Sequence, residues 1–550
     1  MANKYSDLRS LFADIAETIR EKNVTTDLIT ADDFPTEIEK IVTTFDYNNV
    51  NVTEIPDYAL YGCEGVQNVE CYSATSIGTS AFENCRNLKT VTIGDMVEVI
   101  GENAFKGCPN AKIYCLFASK PEGWHENWNP DNCEVVWVGE PTETFDISDT
   151  EDDNVTARFY EIEGDVLFIV GGHGHVRKYT SGYYVPYAGL IESITKVAIL
   201  NGVIYLGNYM LYLAMNVRSV YISNTVEYIG DNSFGQCVEL ESIFIPSGVK
   251  RIDSYSFYRC DSISSVTIPD TVAEISAEAF LSCKNLNYIN IPNKPIVIGD
   301  RAFVGTAYYN DQTNWENGAL YIGNHLIEVK TYGSFFEAKP NTCTIASCAF
   351  TSSYNQTLEE VVLPEGVLVV GRYAFAHMGN LKRVSLPDSL ANIGARAFYG
   401  CSGLTSITIP LGVTTIAEEA FDGCYFKSIE VDKNNQVYDS RDNCNAIIET
   451  KTNTLIKGTD STIIPESVTN IGVLALSGCN FTSITISNSV IVIDKMAFGS
   501  CHYLKSIIYT GTVEQWNAIT FGEDWDSSTP NYTIHCTDGD IAKDGTITYK

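Results

Sequence analysis

Between Ile229 and Pro292 the chain repeats itself. It reads Ile229-Gly230-x3-Phe234-x2-Cys237-x2-Leu240-x2-Ile243-Phe244-Ile245-Pro246, then Ile252-x4-Phe257-x2-Cys260-x2-Ile263-x2-Val266-Thr267-Ile268-Pro269. A third line follows: Ile275-x3-Ala279-Phe280-x2-Cys283-x2-Leu286-x2-Ile289-Asn290-Ile291-Pro292. An aromatic keystone, a cysteine and an alternating segment thus recur every 23 residues. So short a unit cannot bury its own apolar stripe, so stacked neighbours must supply the core.

Working outward, the keystones are Leu60, Phe82 and Phe105 in a first array. In a second they are Leu211, Phe234, Phe257, Phe280, Phe303, Phe350, Phe375, Phe398, Phe421, Leu476 and Phe498. The period lies in the leucine-rich-repeat range, and Leu286-x-x-Ile289-x-Ile291 has the period-two alternation of that repeat's strand. The expected fold is a β-rich leucine-rich-repeat solenoid, a right-handed superhelix in two arrays, with a short α-helical N-terminus and β-hairpin insertions.

The expected order is an N-terminal helical attachment segment (1–45), the first array (46–111), a tryptophan-bearing cap (112–139) and a hairpin module (140–201). The second array (202–508) follows, interrupted at 305–344 and 432–464, and a C-terminal cap (509–550) closes the chain. Hairpins are expected where Ala157–Ile162 meets Val166–Val170, in Gly318–Ile327 around Gly323-Asn324, and where Tyr438–Arg441 meets Asn445–Glu449.

Sixty-nine acidic against 36 basic residues leave a formal charge of -33. That charge repels nucleic-acid phosphates and anionic membranes. Met1–Lys22 lacks the apolar core of a signal peptide, and no apolar run is long enough to span a bilayer. Neither nucleic-acid binding nor membrane insertion is expected. Of the 17 cysteines, ten (Cys63, Cys85, Cys108, Cys237, Cys260, Cys283, Cys401, Cys424, Cys479 and Cys501) sit three residues after a keystone. That inward position predicts a ladder of buried thiols rather than disulfides or metal ligands.

Leu8, Leu11, Phe12, Ile15 and Ile19 share one face at helical spacing, so residues 6–22 are expected to form an amphipathic attachment helix. The run Ile15-Ala16-Glu17-Thr18-Ile19-Arg20-Glu21-Lys22, with Thr26-Asp27 and Ala31-Asp32-Asp33-Phe34-Pro35, resembles an N-terminal segment of phage tail and baseplate-associated proteins. From Ile55 onward the chain resembles the BspA-like leucine-rich-repeat family of bacterial surface proteins, found also on phages. Three features carry that resemblance beyond the repeat: Asp152-Asp153-Asn154-Val155-Thr156-Ala157, the segment from Tyr438-Asp439-Ser440-Arg441 to Ile447-Ile448-Glu449-Thr450, and Gln515-Trp516.

The family implies adhesion without enzymatic activity. Together the two resemblances imply a phage or prophage tail-associated adhesin in the virion, docked to a tail or baseplate protein through its N-terminus. It would recognise a bacterial surface protein or glycan. The alternatives are a bacterial cell-surface adhesin exported by a non-Sec route and a virion structural spacer, and a homo-oligomer is compatible with each.

No catalytic residues are expected, and no metal ligands. Gly171-Gly172-His173-Gly174-His175 pairs two histidines, but its glycines predict a turn. The run Asp149, Glu151, Asp152 and Asp153 supplies hard oxygens for calcium yet lacks the spacing of a loop site, so it reads as a solvated linker. No other cofactor is suggested. The better candidate is the outward face of the strands, dominated by hydroxyl and aromatic groups on an acidic chain. Tyr221, Phe244 and Tyr288, with Thr267 and Asn290, are the expected binding residues, adjacent rungs being about 5 Å apart.

Overall fold

A computed structural model describes residues 54–550, except 64, 332 and 352. The helix expected at 6–22, with Leu8, Leu11, Phe12, Ile15 and Ile19, lies outside the described residues. The described chain is a β-solenoid of short parallel strands with little helix. It divides into two compact units: residues up to 249 together with 259–266, and residues 250–258 with 267–550.

One rung of the second unit shows why the repeat folds as it does. Phe280 is fully buried and stacks on Phe257 at 5.1 Å and on Phe303 at 5.5 Å, with ring planes within 10°. The backbone two residues before and after it is left-handed, at Glu278 (φ 59°) and Ser282 (φ 61°). Such a conformation costs a non-glycine residue roughly 1–2 kcal/mol. It turns three N–H groups onto the next rung: Glu278 donates to Asp300 O, Phe280 to Ala302 O and Ser282 to Val304 O, each at 2.8 Å. At about 1 kcal/mol apiece these bonds offset the strain.

The cysteine three residues on completes the rung. Cys283 Sγ donates to Phe257 O at 3.0 Å, Cys401 to Phe375 O at 3.0 Å and Cys424 to Phe398 O at 3.1 Å. The first unit repeats the contact with Cys108 on Phe82 O at 3.0 Å. The thiol therefore fills a small apolar slot and also satisfies the carbonyl of the preceding keystone. All 17 cysteines are free, and burial pushes the Cys108 and Cys501 thiols up to about 12. The glycine of each Ile-Gly pair has its own reason. A Cβ on Gly230 would stand 2.2 Å from Leu206 O on the rung before.

Each array ends, on its C-terminal side, with tryptophan where the interior uses phenylalanine. In the first unit Phe105 N donates to Trp128 O, and the two rings meet edge-on at 5.7 Å. Trp124 bridges to Ile100, so it holds the place that isoleucine holds elsewhere, and Glu134–Trp137 pairs in parallel with Lys112–Cys115. In the second unit Phe498 N donates to Trp525 O at 2.7 Å, with the rings perpendicular at 5.8 Å.

Hairpins stand at the expected places: Thr156–Ile162 with Asp165–Gly171, Ala319–Ile322 with His325–Val329, and Tyr438–Asp439 with Ile447–Glu449. Within the first unit two sheets face each other. The parallel strands Asn68–Cys71, Thr90–Ile93, Lys112–Cys115 and Glu134–Trp137 form one. The strands Glu143–Asp146, Thr156–Ile162, Asp165–Gly171, Lys196–Ile199 and Ser219–Ile222 form the other. Tyr72 and Leu116, each directly after a strand of the first, meet Tyr160, Leu167, Ile169, Ala198 and Tyr221 of the second in one buried cluster. Arg158 pairs with Asp95 and Lys112 with Glu163 at its margin.

Candidate functional site

The strand face expected to bind is open in some places and covered in others. Tyr221 is 6 % exposed, and its ring lies 6.2 Å from that of Tyr72. Burial pushes its hydroxyl up to about 12. Tyr221 is thus part of the contact between the two facing sheets, and the expected patch of Tyr221, Phe244 and Tyr288 must be corrected to that extent. Thr92, outward on its strand, is buried there as well. Alternation placed both residues on the outer side of a rung. It carried no information on what covers that side.

Phe244 is 42 % exposed in the first unit. In the second unit Thr267, Tyr288 and Asn290 are brought together on neighbouring rungs, where Ile268 N donates to Asn290 O at 2.9 Å. Tyr288 is 58 % exposed, and Thr267 and Asn290 are also exposed. Further along, Ser406 pairs with Ser428 and Thr408 with Glu430, all four exposed. The rungs between are more charged: Phe335, Glu360 and Arg383 lie in register, with Arg383 2.9 Å from Glu360. This face offers hydroxyls, an amide and exposed aromatic rings, groups suited to hydrogen bonding and stacking.

The histidine pair forms part of a turn. Gly172 and Gly174 are left-handed (φ 118° and 117°), and the imidazoles go separate ways: His173 Nδ1 lies 3.3 Å from Gly202 O and His175 Nδ1 3.3 Å from Asp153 Oδ1. Asp153 also accepts from the N–H and hydroxyl of Thr150, which holds its carboxyl below the usual range although burial acts the other way. The same residue thus caps a turn. Among the described residues no group of three His, Cys, Asp or Glu is placed to hold a metal ion. Nor is any described helix long and apolar enough to cross a membrane.

The 305–344 insertion carries a feature that periodicity could not reveal. His325 is fully buried at the start of its strand, with Nε2 2.9 Å from Pro292 O and Nδ1 3.5 Å from Cys343 Sγ. Burial holds its pKa below the ordinary 6.5. The neutral ring is therefore the folded form, and its contribution is fully present above pH 6.5. It is lost as pH falls, because the unfolded chain then takes up a proton that the folded chain refuses. Stability of this region should drop by up to about 1.4 kcal/mol per pH unit below that point. His325→Gln, which keeps a donor toward Pro292 O, should remove that part of the slope in urea titrations at pH 5 and pH 7.5. An unchanged slope would acquit His325.

A search of curated proteins finds no match. Among solved structures the chain is similar to a leucine rich cell surface protein from Faecalibacterium prausnitzii, at 20 % identity over 85 % of this chain and 86 % of that one, with a TM-score of 0.22. It is similar also to a leucine-rich repeat protein from Eubacterium ventriosum, at 18 % identity over 70 % and 95 % with a TM-score of 0.29. The pneumococcal vaccine antigen PcpA is 15 % identical over 72 % and 99 %, with a TM-score of 0.28. The model of the BspA type leucine rich repeat region matches residues 36–114, 188–310, 329–447 and 442–538, well over half of the chain. With the stacked phenylalanines and thiols of its rungs, this match places the chain in the BspA-type leucine-rich-repeat family.

Proposed function

We propose that the chain is a non-enzymatic, adhesin-type recognition protein of a bacterial cell surface, binding a surface protein or glycan through the open strand face of its second unit. The observation that carries this reading is the exposed group Thr267, Tyr288 and Asn290, uncharged and partly aromatic on a chain of formal charge -33. Family membership supports adhesion over chemistry. A second reading, a phage-tail adhesin docked through residues 1–45, is supported by the resemblance of that segment alone and places the same face toward a host.

Binding of the purified chain to intact bacterial cells tests both. Saturable binding should survive removal of residues 1–45 and should weaken at least tenfold in a Tyr288→Ala, Asn290→Ala double variant. Binding that ignores the double variant sinks the strand-face assignment. Binding that needs residues 1–45 moves recognition to that segment.

A further inference from the structure

The insertion at 305–344 interrupts the repeat and forms a partly open cavity. Helix Ala307–Asn310 is capped by Thr306, whose hydroxyl accepts from Tyr309 N at 3.1 Å. The turn Gln312–Asn314 follows, capped by Asp311. Together with the strands behind them they set Tyr309, Asn310, Gln312, Trp315, Gly318 and Lys330 around a cavity of about 310 Å³.

The wall of this cavity is aromatic and fixed. Trp315 stands edge-on to Tyr309 at 5.4 Å, and its Nε1 donates to Tyr309 O at 2.8 Å. Lys330 Nζ lies 4.4 Å from the Trp315 ring centre and 4.7 Å from that of Tyr309. It donates to Tyr309 Oη at 2.6 Å and lies 3.2 Å from Glu328, to which the Tyr309 hydroxyl donates at 2.6 Å. Asn310 and Gln312 present exposed amides at the mouth.

These residues select a ligand by elimination. A cationic ligand gains little, since Lys330 already supplies the cation held beside both rings. For an anion there is little attraction, since Lys330 is paired with Glu328, Asp311 and Glu316 stand nearby in sequence, and the chain as a whole is strongly acidic. A wholly apolar ligand would strip water from the exposed amides of Asn310 and Gln312 and give them no partner in return. What remains is a neutral ring with an apolar C–H face and a hydroxylated edge, small enough for a cavity at the lower end of the ligand-pocket range.

We propose that this insertion is a binding site for one neutral hexose residue of a surface glycan, with Trp315 and Tyr309 as the stacking wall and Asn310, Gln312 and Lys330 as hydroxyl partners. The proposal rests on the adhesin reading and assigns it a ligand class and a second site, separate from the strand face.

The test is saturation-transfer NMR of the full chain with the methyl glycosides of glucose, galactose and mannose, alongside sialyllactose. At least one neutral glycoside should bind, with affinity reduced tenfold or more in Trp315→Ala and in Gln312→Ala and unchanged in Tyr503→Ala, an exposed tyrosine outside both sites. Gln312 is exposed, so its variant keeps the test valid if Trp315→Ala does not fold. Absence of binding by all three neutral glycosides, preference for sialyllactose, or binding insensitive to Gln312→Ala each overturns the proposal. If cell binding persists and depends on Tyr288 while the glycosides fail, only the sugar site is lost. Failure of cell binding itself is the separate result that removes the adhesin reading.

Discussion

Phe375→Ala is expected to destabilise the second unit by about 3–5 kcal/mol. Phe375 is fully buried, with the Phe350 ring 4.5 Å away at 20° and the Phe398 ring 5.0 Å away at 4°. Truncation therefore removes one member of a continuous stack, forfeits two ring contacts and leaves a cavity that neighbouring rungs cannot fill without shifting their own ladders. Its backbone holds the rungs together as well: Phe350 N donates to Ala374 O and Phe375 N to Ala397 O, each at 2.8 Å.

Because a solenoid is stabilised by nearest-neighbour interfaces, the loss should be local. Hydrogen exchange should accelerate at the amides of Phe350, Phe375 and Phe398, while the rungs around Phe82 and Phe105 keep their protection. Leu211 and Leu476 occupy keystone positions naturally, so Phe375→Leu should cost roughly half as much or less. A denaturation midpoint for Phe375→Ala within error of the parent chain would mean that the ring stack is not what holds the rungs.

The keystones were legible in the sequence for the same reason that this substitution is costly. Each Phe fills one slot of one repeating geometry, so the slot recurs about every 23 residues, with a cysteine three positions on at ten of the 14 keystones. Legibility failed where the geometry stayed and the residue changed. Trp128 and Trp525 continue the keystone ladder but bring no Ile-x-x-x-Ala-Phe signature with them, so the segments that hold them, 112–139 and 509–550, read as caps.

The site divides along the same line. Tyr288 and Tyr221 are equivalent by alternation, and only the contact of Tyr221 with Tyr72, 149 residues earlier in the chain, distinguishes buried from open. Local period carries nothing about such a contact. The cavity beside Trp315 lies in the insertion, where there is no repeat to compare with.

That contact makes the second large prediction. Tyr221→Glu places a carboxylate among Tyr72, Leu116, Leu167 and Ala198, where it has little chance of regaining its water. The expected cost is about 3–5 kcal/mol, the scale of an uncompensated buried charge. Hydroxyl-radical footprinting should then show Tyr72 and Tyr160 newly reactive as the two sheets of the first unit part. The same change at Tyr288, which is 58 % exposed, should alter stability by no more than about 0.5 kcal/mol while abolishing cell binding. Equal footprints for the parent chain and Tyr221→Glu would show that the sheets are not held through this contact. The pairing of outcomes matters for function because the covered face and the open face are built alike. In the first unit tyrosines and aliphatic groups dock one strand face onto another, and Arg158 with Asp95 and Lys112 with Glu163 fix the margin. A strand face of this composition therefore holds a protein surface already, within the molecule itself. On the function proposed above, the open rungs around Tyr288 would dock a partner through the same outward side of the strands.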